Sequence, residues 1–524
     1  MAESVTEFAL PLHGVSEPRP AFSSLCAMFA HAVATVPEVV ALREAGASLT
    51  YREEGRAVDA LARRLAALAA PGEVVALLLP NSIAFRISYF AALKALAVPA
   101  LLNPLYRALE LERLLREVNP RVLLCGETTQ ALAHELAAKL GIPAVLGFGA
   151  ELSVAALAAE PAAPLNRREA GAEDLGVLLF SGGTTGLPKA VPQTHGRLLI
   201  AVRCVDYSWP TRAQGEVWLP IAPFTHVYGF LQGLLSPVYS RAEVIIPERF
   251  KPERIVELLA RHRVTVFGGG PPAVYAALLN AANLAGADFS ALRVCPAGGA
   301  PMPVELLQRW QNATGCVIHE GYGMTEMAPI SGTTDLSGVR PGSVGKPIPC
   351  NEVQIVDLET GTRVLKAGET GEVRVRGPHM MRGYYNRPEE TAKVLRDGFI
   401  YTGDIGRMDA DGFLYITDRK KDVILVKGFN VFPREVEEVI HTHPKVAAAG
   451  VVGVPDARTG ERVIAYVVPR PEEALDADEL AAYIAERLAA YKCPAVIRIV
   501  TALPMTGAQK LDRIALRTQA LGEK

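Results

Sequence analysis

A segment rich in glycine and threonine, placed directly after an apolar run, has the residue types that bind phosphate. Between Phe180, where the run ends, and Lys189 stand Ser181, Gly182, Gly183, Thr184, Thr185 and Gly186. Glycines let backbone N–H groups approach phosphate oxygens, hydroxyls add donors or a metal contact, and the lysine supplies positive charge. The segment is not a Walker loop, because no Gly-Lys-Ser/Thr follows at the required spacing. Taken alone, it also fits an ordinary glycine turn.

Two later turns carry side chains that suit the rest of a nucleotide. Residues 320–326 read EGYGMTE, which places the ring of Tyr322 near the carboxylate of Glu326. A ring flanked by glycines can lie against a purine, and a carboxylate beside bound phosphates is a natural Mg²⁺ ligand. Residues 401–404 read YTGD, and the carboxylate of Asp404 can accept both hydroxyls of a ribose. Each turn also fits a plain capped turn or a packed tyrosine, but the three in this order favour a nucleotide site.

The sequence around these turns predicts alternating strands and helices. VVALLL (74–79) reads as a buried strand followed by a long apolar helix, and RALELERLLREV (107–118) is amphipathic. The segments 263–267 and 292–299 read as strands that run into glycine. Such alternation predicts mostly parallel sheets covered by helices, with ligands at the carboxyl ends of the strands. GEVRVRG (371–377) alternates strictly, which predicts a half-solvated strand in a compact β-rich segment.

A run of charges, DRKKD at 418–422, precedes a second region with its own strands and helices. The patterns there are VILV, REVEEVIHT, VAAAGVVGV, RVIAYVVP and ELAAYIAERLAAY. About a hundred residues with apolar strands of their own can form their own core. The expected fold class is therefore α/β, with a large N-terminal domain (1–418) of mostly parallel sheets covered by helices plus a β-rich subdomain. A small C-terminal α+β domain (419–524) follows, and the charged run is either a hinge or a solvated loop.

Composition and charge narrow the class of protein. The 524 residues are 50% hydrophobic and 21% charged, which excludes a largely disordered chain and predicts at least two lobes. The net charge of −2 offers no basic excess for nucleic acid. Seven scattered cysteines without a CxxC pair argue against a disulfide framework or a zinc knuckle and favour a reducing compartment. The acidic N-terminus is broken by Pro11, and the longest apolar stretch (85–105) contains charges and prolines. We therefore expect a cytoplasmic protein with no signal peptide and no transmembrane segment.

Six ordered motifs cover essentially the whole chain: SGGTTGLPKAV, GYGMTEM, GSVGKP, MRGYYNRPEET, YTGDIGRMDADGFLYITDRKKDVILVKGFNVFPREVE and PMTGAQKLDR. They resemble the signatures of the adenylate-forming acyl-CoA synthetases. The resemblance implies a two-step reaction, in which a carboxylate and ATP give an acyl-adenylate and pyrophosphate, and a thiol then displaces AMP. It also implies ATP, Mg²⁺ and coenzyme A as cofactors and co-substrates, and a small C-terminal domain that rotates between the two half-reactions.

The same resemblance assigns the nucleotide-binding residues. It puts Thr184, Thr185 and Lys189 on the β- and γ-phosphates, and Mg²⁺ on Glu326 and Thr184. Tyr322 would stack on the adenine. The further implied contacts are the loop residues Ser181, Gly182, Gly183 and Gly186, the adenine slot Gly298, Gly299 and Ala300, Gly323, the phosphate contact Thr325, and Asp404 on the ribose with Arg419 assisting.

The resemblance also assigns the catalytic and moving parts. Lys510 matches the catalytic lysine, which would bridge the carboxylate and the α-phosphate and stabilise the developing charge. No general base is required, because a carboxylate is already ionised at neutral pH. Lys421 matches the hinge position. The turn at Lys427 and Gly428 would face the pantetheine channel, and a bulky side chain at Gly428 would obstruct it.

Residues 222–233, APFTHVYGFLQG, resemble the family's segment beside the substrate carboxylate. His226 is expected to lie next to that carboxylate, although an isolated histidine at a helix start is more simply explained as satisfied locally. Six residues either line the acyl pocket or belong to the plain core: Val227, Tyr228, Phe230, Met327, Ala328 and Ile330. None of them is charged, so we expect an apolar or aromatic acid.

Four positions depart from the family pattern. Gly182 stands where most relatives have Ser or Thr, and Ala190 replaces a usual Gly, so a negative φ is expected there. Leu425 stands where many plant aryl-CoA ligases and luciferases carry a second lysine, and Gln509 replaces the Gly before the catalytic lysine. Together they lead to the hypothesis of a member specialised for an unusual acid of secondary metabolism.

Two alternative functions stay open at this point. The first is a stand-alone ligase that loads the acid onto a carrier-protein thiol in trans, although the lack of a long insertion favours free CoA. The second is a catalytically silent acyl or nucleotide sensor on the same fold. The retained set that argues against the sensor is Thr184, Lys189, Glu326, Asp404, Arg419 and Lys510. The identity of the acid, and the choice between monomer and homodimer, cannot be read from the motifs.

Overall fold

The structure is a computed structural model that describes residues 10–149, 151–161, 163–181, 188–300, 302–427, 429–456, 458–471, 473–505 and 511–522. The chain divides into two compact units. The first comprises Met1–Glu352 and Val375–Ile400, and the second comprises Val353–Arg374 and Tyr401–Lys524.

Helices and strands alternate through most of the described chain, as the sequence predicts. The α-helices are α1 (Leu25–Thr35), α2 (Tyr51–Leu68), α3 (Ile83–Lys94), α4 (Ala108–Val118), α5 (Gln130–Leu140), α6 (Val154–Ala159), α7 (His195–Ser208), α8 (Val227–Phe230), α9 (Ser236–Tyr239), α10 (Pro252–Arg261), α11 (Pro272–Leu279), α12 (Val304–Thr314), α13 (Pro388–Val394), α14 (Pro433–His441), α15 (Ala477–Ala485) and α16 (Arg513–Gly522). A π-helical turn (Leu231–Leu235) joins α8 to α9.

The strands are β1 (Val40–Glu44), β2 (Ala47–Thr50), β3 (Val74–Leu78), β4 (Val98–Leu101), β5 (Val122–Cys125), β6 (Ala144–Gly147), β7 (Leu175–Ser181), β8 (Lys189–Thr194), β9 (Val217–Pro220), β10 (Glu243–Ile246), β11 (Val266–Gly268), β12 (Cys295–Gly298), β13 (Ile318–Met324), β14 (Met327–Gly332), β15 (Lys346–Pro347), β16 (Glu352–Val356), β17 (Gly371–Arg376), β18 (Leu395–Arg396), β19 (Phe399–Met408), β20 (Leu414–Arg419), β21 (Ile424–Val426), β22 (Phe429–Val431), β23 (Val446–Asp456), β24 (Gly460–Pro469) and β25 (Val496–Ile499).

A six-stranded sheet in the first unit carries the predicted phosphate loop at its edge. Its order is β6-β5-β3-β4-β7-β8, and neighbouring strands are parallel except in the β7–β8 hairpin. Val75 and Leu77 of β3 enter one hydrophobic cluster, while Val74, Ala76 and Leu78 enter another. Both faces of this strand are therefore covered, which explains why its sequence is apolar without alternation.

Two more sheets of the first unit end near glycines. One has the order β11-β9-β10-β1-β2, with only the β1–β2 pair antiparallel, and the other has the order β12-β13-β14-β15, with β12 and β13 parallel. The strand predicted at 263–267 begins only at Val266, because Arg263 takes a left-handed φ of +48° after α10. The strand predicted at 292–299 is the shorter β12.

The predicted β-rich segment is present as a sheet of order β16-β17-β19-β18, with β20 beside β19. The predicted half-solvated strand GEVRVRG is β17, but it is more buried than its alternation indicates. Glu372 is only 4% exposed, and its carboxylate can be buried because it accepts a hydrogen bond of 2.7 Å from Lys420 Nζ. In the folded protein, the Lys420 ammonium takes the place of water as the partner of the Glu372 carboxylate.

The C-terminal part of the second unit forms the predicted α+β core. Its sheet has the order β22-β21-β24-β23, with β25 parallel to β24, and alternate residues of β24 enter two hydrophobic clusters. The helix predicted to run to Tyr491 ends at Ala485. Leu488 and Tyr491 leave the helix and pack against the cluster that contains Leu480 and Ile484. The α/β fold class is confirmed.

No helix of the described chain has both the length and the low charge needed to cross a bilayer.

Candidate active site

The predicted phosphate loop falls between β7 and β8. β7 is buried along its apolar residues and ends at Ser181, which is in register with Lys189 at the start of β8. The backbone N–H of Lys189 donates to Ser181 Oγ at 3.4 Å and fixes the two ends of the loop. Ala190 lies in β8 opposite Phe180, so the expectation of a negative φ is confirmed. The predicted loop residues Gly182, Gly183, Thr184, Thr185 and Gly186 lie outside the described residues.

The Lys189 ammonium is held by a carboxylate and an aromatic ring. Its Nζ lies 2.9 Å from Glu390 Oε2 and 4.7 Å from the centroid of the Tyr384 ring. Hydrogen bonds from Lys393 and then Lys189 lower the pKa of the Glu390 carboxyl to about 2. The lysine is a quarter exposed, so a phosphate can compete with Glu390 for the ammonium.

Glu326 lies in the tight bend between β13 and β14 and is only 5% exposed. Its Oε1 accepts a hydrogen bond of 2.7 Å from the Tyr384 hydroxyl, and its backbone carbonyl accepts one of 2.8 Å from the Met381 N–H. Burial, and after it the Glu326 charge, raises the pKa of the Tyr384 phenol, so the phenol acts as the donor. A buried carboxylate held in one orientation is suited to a hard divalent cation.

The predicted adenine slot lies at the adjacent carboxyl end of β12 and in β13. Gly298 is opposite Gly321 in the parallel pair, and a Cβ on Gly298 would lie 2.8 Å from the Gly321 carbonyl oxygen. Gly299 has a φ of +83°, which favours glycine. Tyr322 follows Gly321 in β13 and is half-buried. The predicted residues Ala300, Gly323 and Thr325 are part of the same two chain segments.

His226 caps α8. Its Nδ1 accepts a hydrogen bond of 3.2 Å from the Tyr228 backbone N–H, so the proton of the neutral ring is on Nε2. The Tyr228 hydroxyl donates to the Pro296 carbonyl at 2.9 Å, and burial raises its pKa. Tyr228 therefore packs against β12, with its ring 3.8 Å from the position of a Cβ on Gly298.

Apart from Tyr228, which packs against β12, the predicted acyl-pocket residues divide into two groups. Val227 and Ala328, together with Thr325, line a cavity of about 10 Å³, room for roughly one water molecule. Phe230, Met327 and Ile330 are fully buried, and the Phe230 ring packs edge-on against Tyr89 at 5.2 Å.

The wall of this cavity also includes two polar residues outside the predicted pocket set. Arg197 and Gln193 are part of its wall, and burial lowers the pKa of the Arg197 guanidinium. Both residues come from β8 and the start of α7, which the sequence reading did not assign to the pocket.

In the second unit, Asp404 and Arg419 lie opposite each other on β19 and β20. Arg419 Nε is 2.8 Å from Asp404 Oδ1, and the carboxylate residue is 4% exposed while the arginine side chain is about half exposed. The two residues that the sequence assigns to the ribose are therefore brought together.

Lys421 lies in the turn Lys420–Asp422 between β20 and β21, and Lys427 lies in the β21–β22 turn with a left-handed φ of +51°. The Lys427 backbone N–H donates to the Thr459 carbonyl at 2.7 Å. The predicted channel residue Gly428 and the predicted catalytic Lys510 lie outside the described residues. On either side of the segment that contains Lys510, Met505 and Leu511 form an antiparallel bridge.

Sequence reasoning missed Tyr384 and Glu390, which contact Lys189. Both belong to the motif MRGYYNRPEET, which was used only to recognise the family. The signal available was the motif itself, because aromatic and acidic residues that follow no core periodicity need a chemical explanation.

The chain matches two family models. The model described as AMP-binding enzyme covers residues 29–385, and the model described as AMP-binding enzyme C-terminal domain covers residues 435–510. The chain is 35% identical to a long-chain-fatty-acid–CoA ligase of Bacillus subtilis over 84% of each sequence. It is 37% identical to a feruloyl-CoA synthase of Amycolatopsis sp. over 91% of this chain and 94% of that one.

Among solved structures, the chain is similar to the anthranilate CoA ligase AuaEII in complex with anthranoyl-AMP. The TM-score is 0.88 at 26% sequence identity, and the match covers 96% of this chain and 98% of the other. The chain belongs to the AMP-binding enzymes, and it is an adenylate-forming acyl-CoA synthetase, as the six motifs predict.

Proposed function

We propose that this enzyme activates an apolar carboxylic acid with ATP and transfers the acyl group to coenzyme A. In the first step a carboxylate oxygen of the acid attacks the α-phosphorus, the α–β phosphoanhydride bond breaks, and pyrophosphate leaves. In the second step the CoA thiol attacks the acyl carbon and AMP leaves. The family of the chain and the acids in the names of its relatives, fatty and feruloyl, support this class of reaction.

The arrangement of Lys189, Tyr384 and Glu326 carries the proposal. An ammonium and a buried carboxylate contact the same tyrosine, the first over its ring and the second at its hydroxyl. Phosphoryl chemistry depends on neutralising a polyanion, and this group offers a direct positive charge and a ligand for a cation.

Glu326 has the chemistry that Mg²⁺ requires, because magnesium is held by one or two carboxylates together with substrate phosphates. When bound, Mg²⁺ would neutralise phosphate charge. Glu326, with Thr184, is the proposed protein ligand, and Tyr384 holds the carboxylate in place.

The remaining roles are proposed on the family motifs. Lys189, Thr184 and Thr185 bind the β- and γ-phosphates, Tyr322 stacks on the adenine, and the Asp404–Arg419 pair binds the ribose. Lys510 bridges the acid and the α-phosphate. The C-terminal domain, residues 419–524, moves about Lys421 relative to residues 1–418, and the turn at Lys427 and Gly428 admits the pantetheine arm.

The substrate acid is proposed to have an apolar or aromatic body, with its carboxylate beside His226. The Nε2–H of that ring is a donor of the right kind, since Nδ1 is used by the Tyr228 N–H. A cavity of about 10 Å³ is too small for an acyl chain, so side chains such as Val227 would have to change rotamer when the acid binds.

The enzyme is proposed to be cytoplasmic, because all seven cysteines are free thiols. Coenzyme A is preferred as the acceptor over a carrier protein, since both curated relatives above are named as CoA enzymes.

The first test is pyrophosphate release with a panel of acids, measured with and without CoA. The panel contains short, medium and long fatty acids, benzoates, cinnamates and polycyclic terpenoid acids. Turnover that depends on CoA with one class of acid is expected. If CoA does not increase pyrophosphate release, a carrier protein becomes the favoured acyl acceptor. ATP binding without any turnover would favour the silent sensor.

The second test separates the two half-reactions. Lys510→Ala is expected to slow adenylation by about 10²–10³-fold while ATP still binds, because it removes a charge at the reacting centre. Lys445→Ala is the control, since Lys445 forms a surface pair with Glu479. Gly428→Trp is expected to spare adenylation and block thioester formation. Thioester formation at the wild-type rate in that variant would refute the channel assignment.

A further inference from the structure

Two cysteines and a histidine, none of them among the residues proposed for ATP, meet in the first unit. Cys204 comes from α7, Cys350 from the segment after β15, and His379 from the segment after β17. The two Sγ atoms are 3.5 Å apart, and one ligand atom from each of the three residues lies within 4.8 Å of the others. Cys204 is fully buried, His379 is 2% exposed, and Cys350 is half-buried.

The His379 ring is only half satisfied. Its Nε2 lies 2.9 Å from the Pro329 carbonyl oxygen, so Nε2 carries the proton and donates it. Its Nδ1 is buried and, among the described residues, has no hydrogen-bond partner of good geometry, although the ring interacts with the Cys350 side chain. A buried acceptor without a good partner loses the hydrogen bond that water gives it in the unfolded chain. A ring that donates one N–H to a backbone carbonyl and presents the other nitrogen to a cluster of thiols has the arrangement of a metal-bound histidine.

Simple packing explains the cysteines but not the histidine. Cys204 and Cys350 lie in a small apolar cluster with Ile200 and Ile348, and a free cysteine behaves there as a small hydrophobic residue. A thiol such as that of Cys350 is only a weak partner for the buried ring nitrogen, whereas a metal ion is a strong one. A divalent cation bound by two thiolates would make the buried group neutral, which avoids the cost of an isolated charge.

The spacing of the ligand atoms fits a tetrahedral site. Zinc–sulfur bonds of about 2.3 Å at tetrahedral angles put two sulfur atoms about 3.8 Å apart. The observed separation is 3.5 Å, so a shift of a few tenths of an ångström admits the ion. The half-buried Cys350 leaves a route of entry, and three protein ligands leave the fourth position for water.

We propose that Cys204, Cys350 and His379 bind a thiolate-preferring divalent cation, of which Zn²⁺ is the type. The site is separate from the proposed Mg²⁺ site and does not depend on the proposed function. It links α7, which follows the phosphate hairpin, to the segments that precede β16 and follow β17. The ion would therefore stabilise the wall of the acyl cavity, to which His379 itself contributes.

The test uses the full-length, reduced, metal-free protein titrated with Co²⁺ as a spectroscopic probe, followed by displacement with Zn²⁺. A thiolate-to-cobalt charge-transfer band that saturates at one equivalent is expected. Cys204→Ser, Cys350→Ser and His379→Gln should each weaken binding by at least about 100-fold, since loss of an outer partner alone costs 10–100-fold. Zn²⁺ should also raise the Tm of the wild type and leave that of Cys350→Ser unchanged.

Cys316→Ser is the matched control. Cys316 and Cys295 also have their sulfur atoms 3.5 Å apart, but no third ligand joins them among the described residues. The band and its stoichiometry should survive in this variant. The absence of a thiolate–cobalt band in the wild type would overturn the proposal, and so would a band that persists unchanged in Cys350→Ser and His379→Gln.

Discussion

The Tyr384 hydroxyl donates a hydrogen bond of 2.7 Å to Oε1 of Glu326, and this contact joins two motifs that are 58 residues apart in the chain. Tyr384 also contacts Lys189, whose ammonium lies 4.7 Å from the centre of the tyrosine ring. One tyrosine thus fixes the carboxylate proposed for Mg²⁺ and contacts the cation proposed for phosphate. Tyr384 acts through these two groups, so it is a positioning residue.

Tyr384→Phe should slow adenylation by weakening the binding of Mg²⁺. The substitution removes one hydrogen bond to a charged group, worth about 1.5–3 kcal/mol, and leaves the ring under Lys189 in place. We expect adenylation to slow by about tenfold or more and the Mg²⁺ concentration at half-maximal rate to rise. ATP–pyrophosphate exchange over a series of Mg²⁺ concentrations measures both effects.

Tyr385→Phe is the control for this prediction, because it makes the same change at the next residue, whose backbone N–H donates to the Ala190 carbonyl. Exchange rate and Mg²⁺ dependence should stay at wild-type values there. An equal loss in both variants, or a loss in Tyr384→Phe that is independent of Mg²⁺, would show that the hydroxyl does not position Glu326.

The parts of the fold that the sequence predicted are those set by neighbours along the chain. The strand β3 and the helix α4 follow from local apolar periodicity, and the end of β7 at Ser181 follows from the glycines after it. The ends of strands were less predictable. Arg263 takes a left-handed φ, and β11 starts only after it. A run such as RVTVF carries no signature of this backbone conformation.

The parts of the site that were not predicted depend on long-range contacts. Cys204 and Cys350 are 146 residues apart, so no local spacing rule for metal ligands reaches them. Arg197 was not assigned to the cavity because its side of α7 is decided by how the helix packs. The motifs do identify Lys189, Glu326 and the Asp404–Arg419 pair, because type and order together specify their chemistry.

Glu390→Gln should strengthen the interaction of Lys189 with ATP. The ion pair is exposed to solvent, so its loss should leave the free energy of unfolding nearly unchanged. The ammonium, released from its carboxylate partner, should lower the KM for ATP by roughly two- to fivefold, which corresponds to an exposed pair of this strength.

Steady-state kinetics at fixed acid and varied ATP test this expectation. Glu389→Gln, one residue earlier on the exposed start of α13, should leave the KM for ATP unchanged. A higher KM for ATP in Glu390→Gln would mean that Glu390 helps to position Lys189 and does not compete with phosphate.

Gly298→Ala should damage the proposed adenine slot. The new Cβ would lie 2.8 Å from the Gly321 carbonyl oxygen, and backbone must move to relieve the contact. Such overpacking costs about 1–3 kcal/mol, so the KM for ATP should rise by about tenfold or more. Gly286→Ala is the control, because nothing lies within 4 Å of its added Cβ. Equal KM values for ATP in the two variants would show that Gly298 does not belong to the adenine slot.

Asp418 should make stability depend on pH in an unusual direction. The residue is 7% exposed, and its carboxylate accepts hydrogen bonds of 2.8 Å from the backbone N–H groups of Arg434 and Arg419. Burial nevertheless raises its pKa to about 6, although the Arg513 charge opposes the shift. The unfolded chain has a pKa of about 3.9 at this position. Between those two values the folded protein binds more protons than the unfolded chain, so this carboxyl makes stability fall as pH rises.

Asp418→Asn removes the ionisable group. It also removes one of the two acceptor oxygens, and the effect of that loss on stability does not depend on pH. The free energy of unfolding of the variant, relative to the wild type, should therefore increase by about 2 kcal/mol from pH 4 to pH 7, since each unit of pKa shift corresponds to 1.36 kcal/mol and part of the change lies below pH 4. Equilibrium urea unfolding of both proteins across this range measures the difference. A difference that is independent of pH would mean that the Asp418 carboxyl is ionised throughout in the folded protein, stabilised by its two N–H donors and Arg513 against the cost of burial.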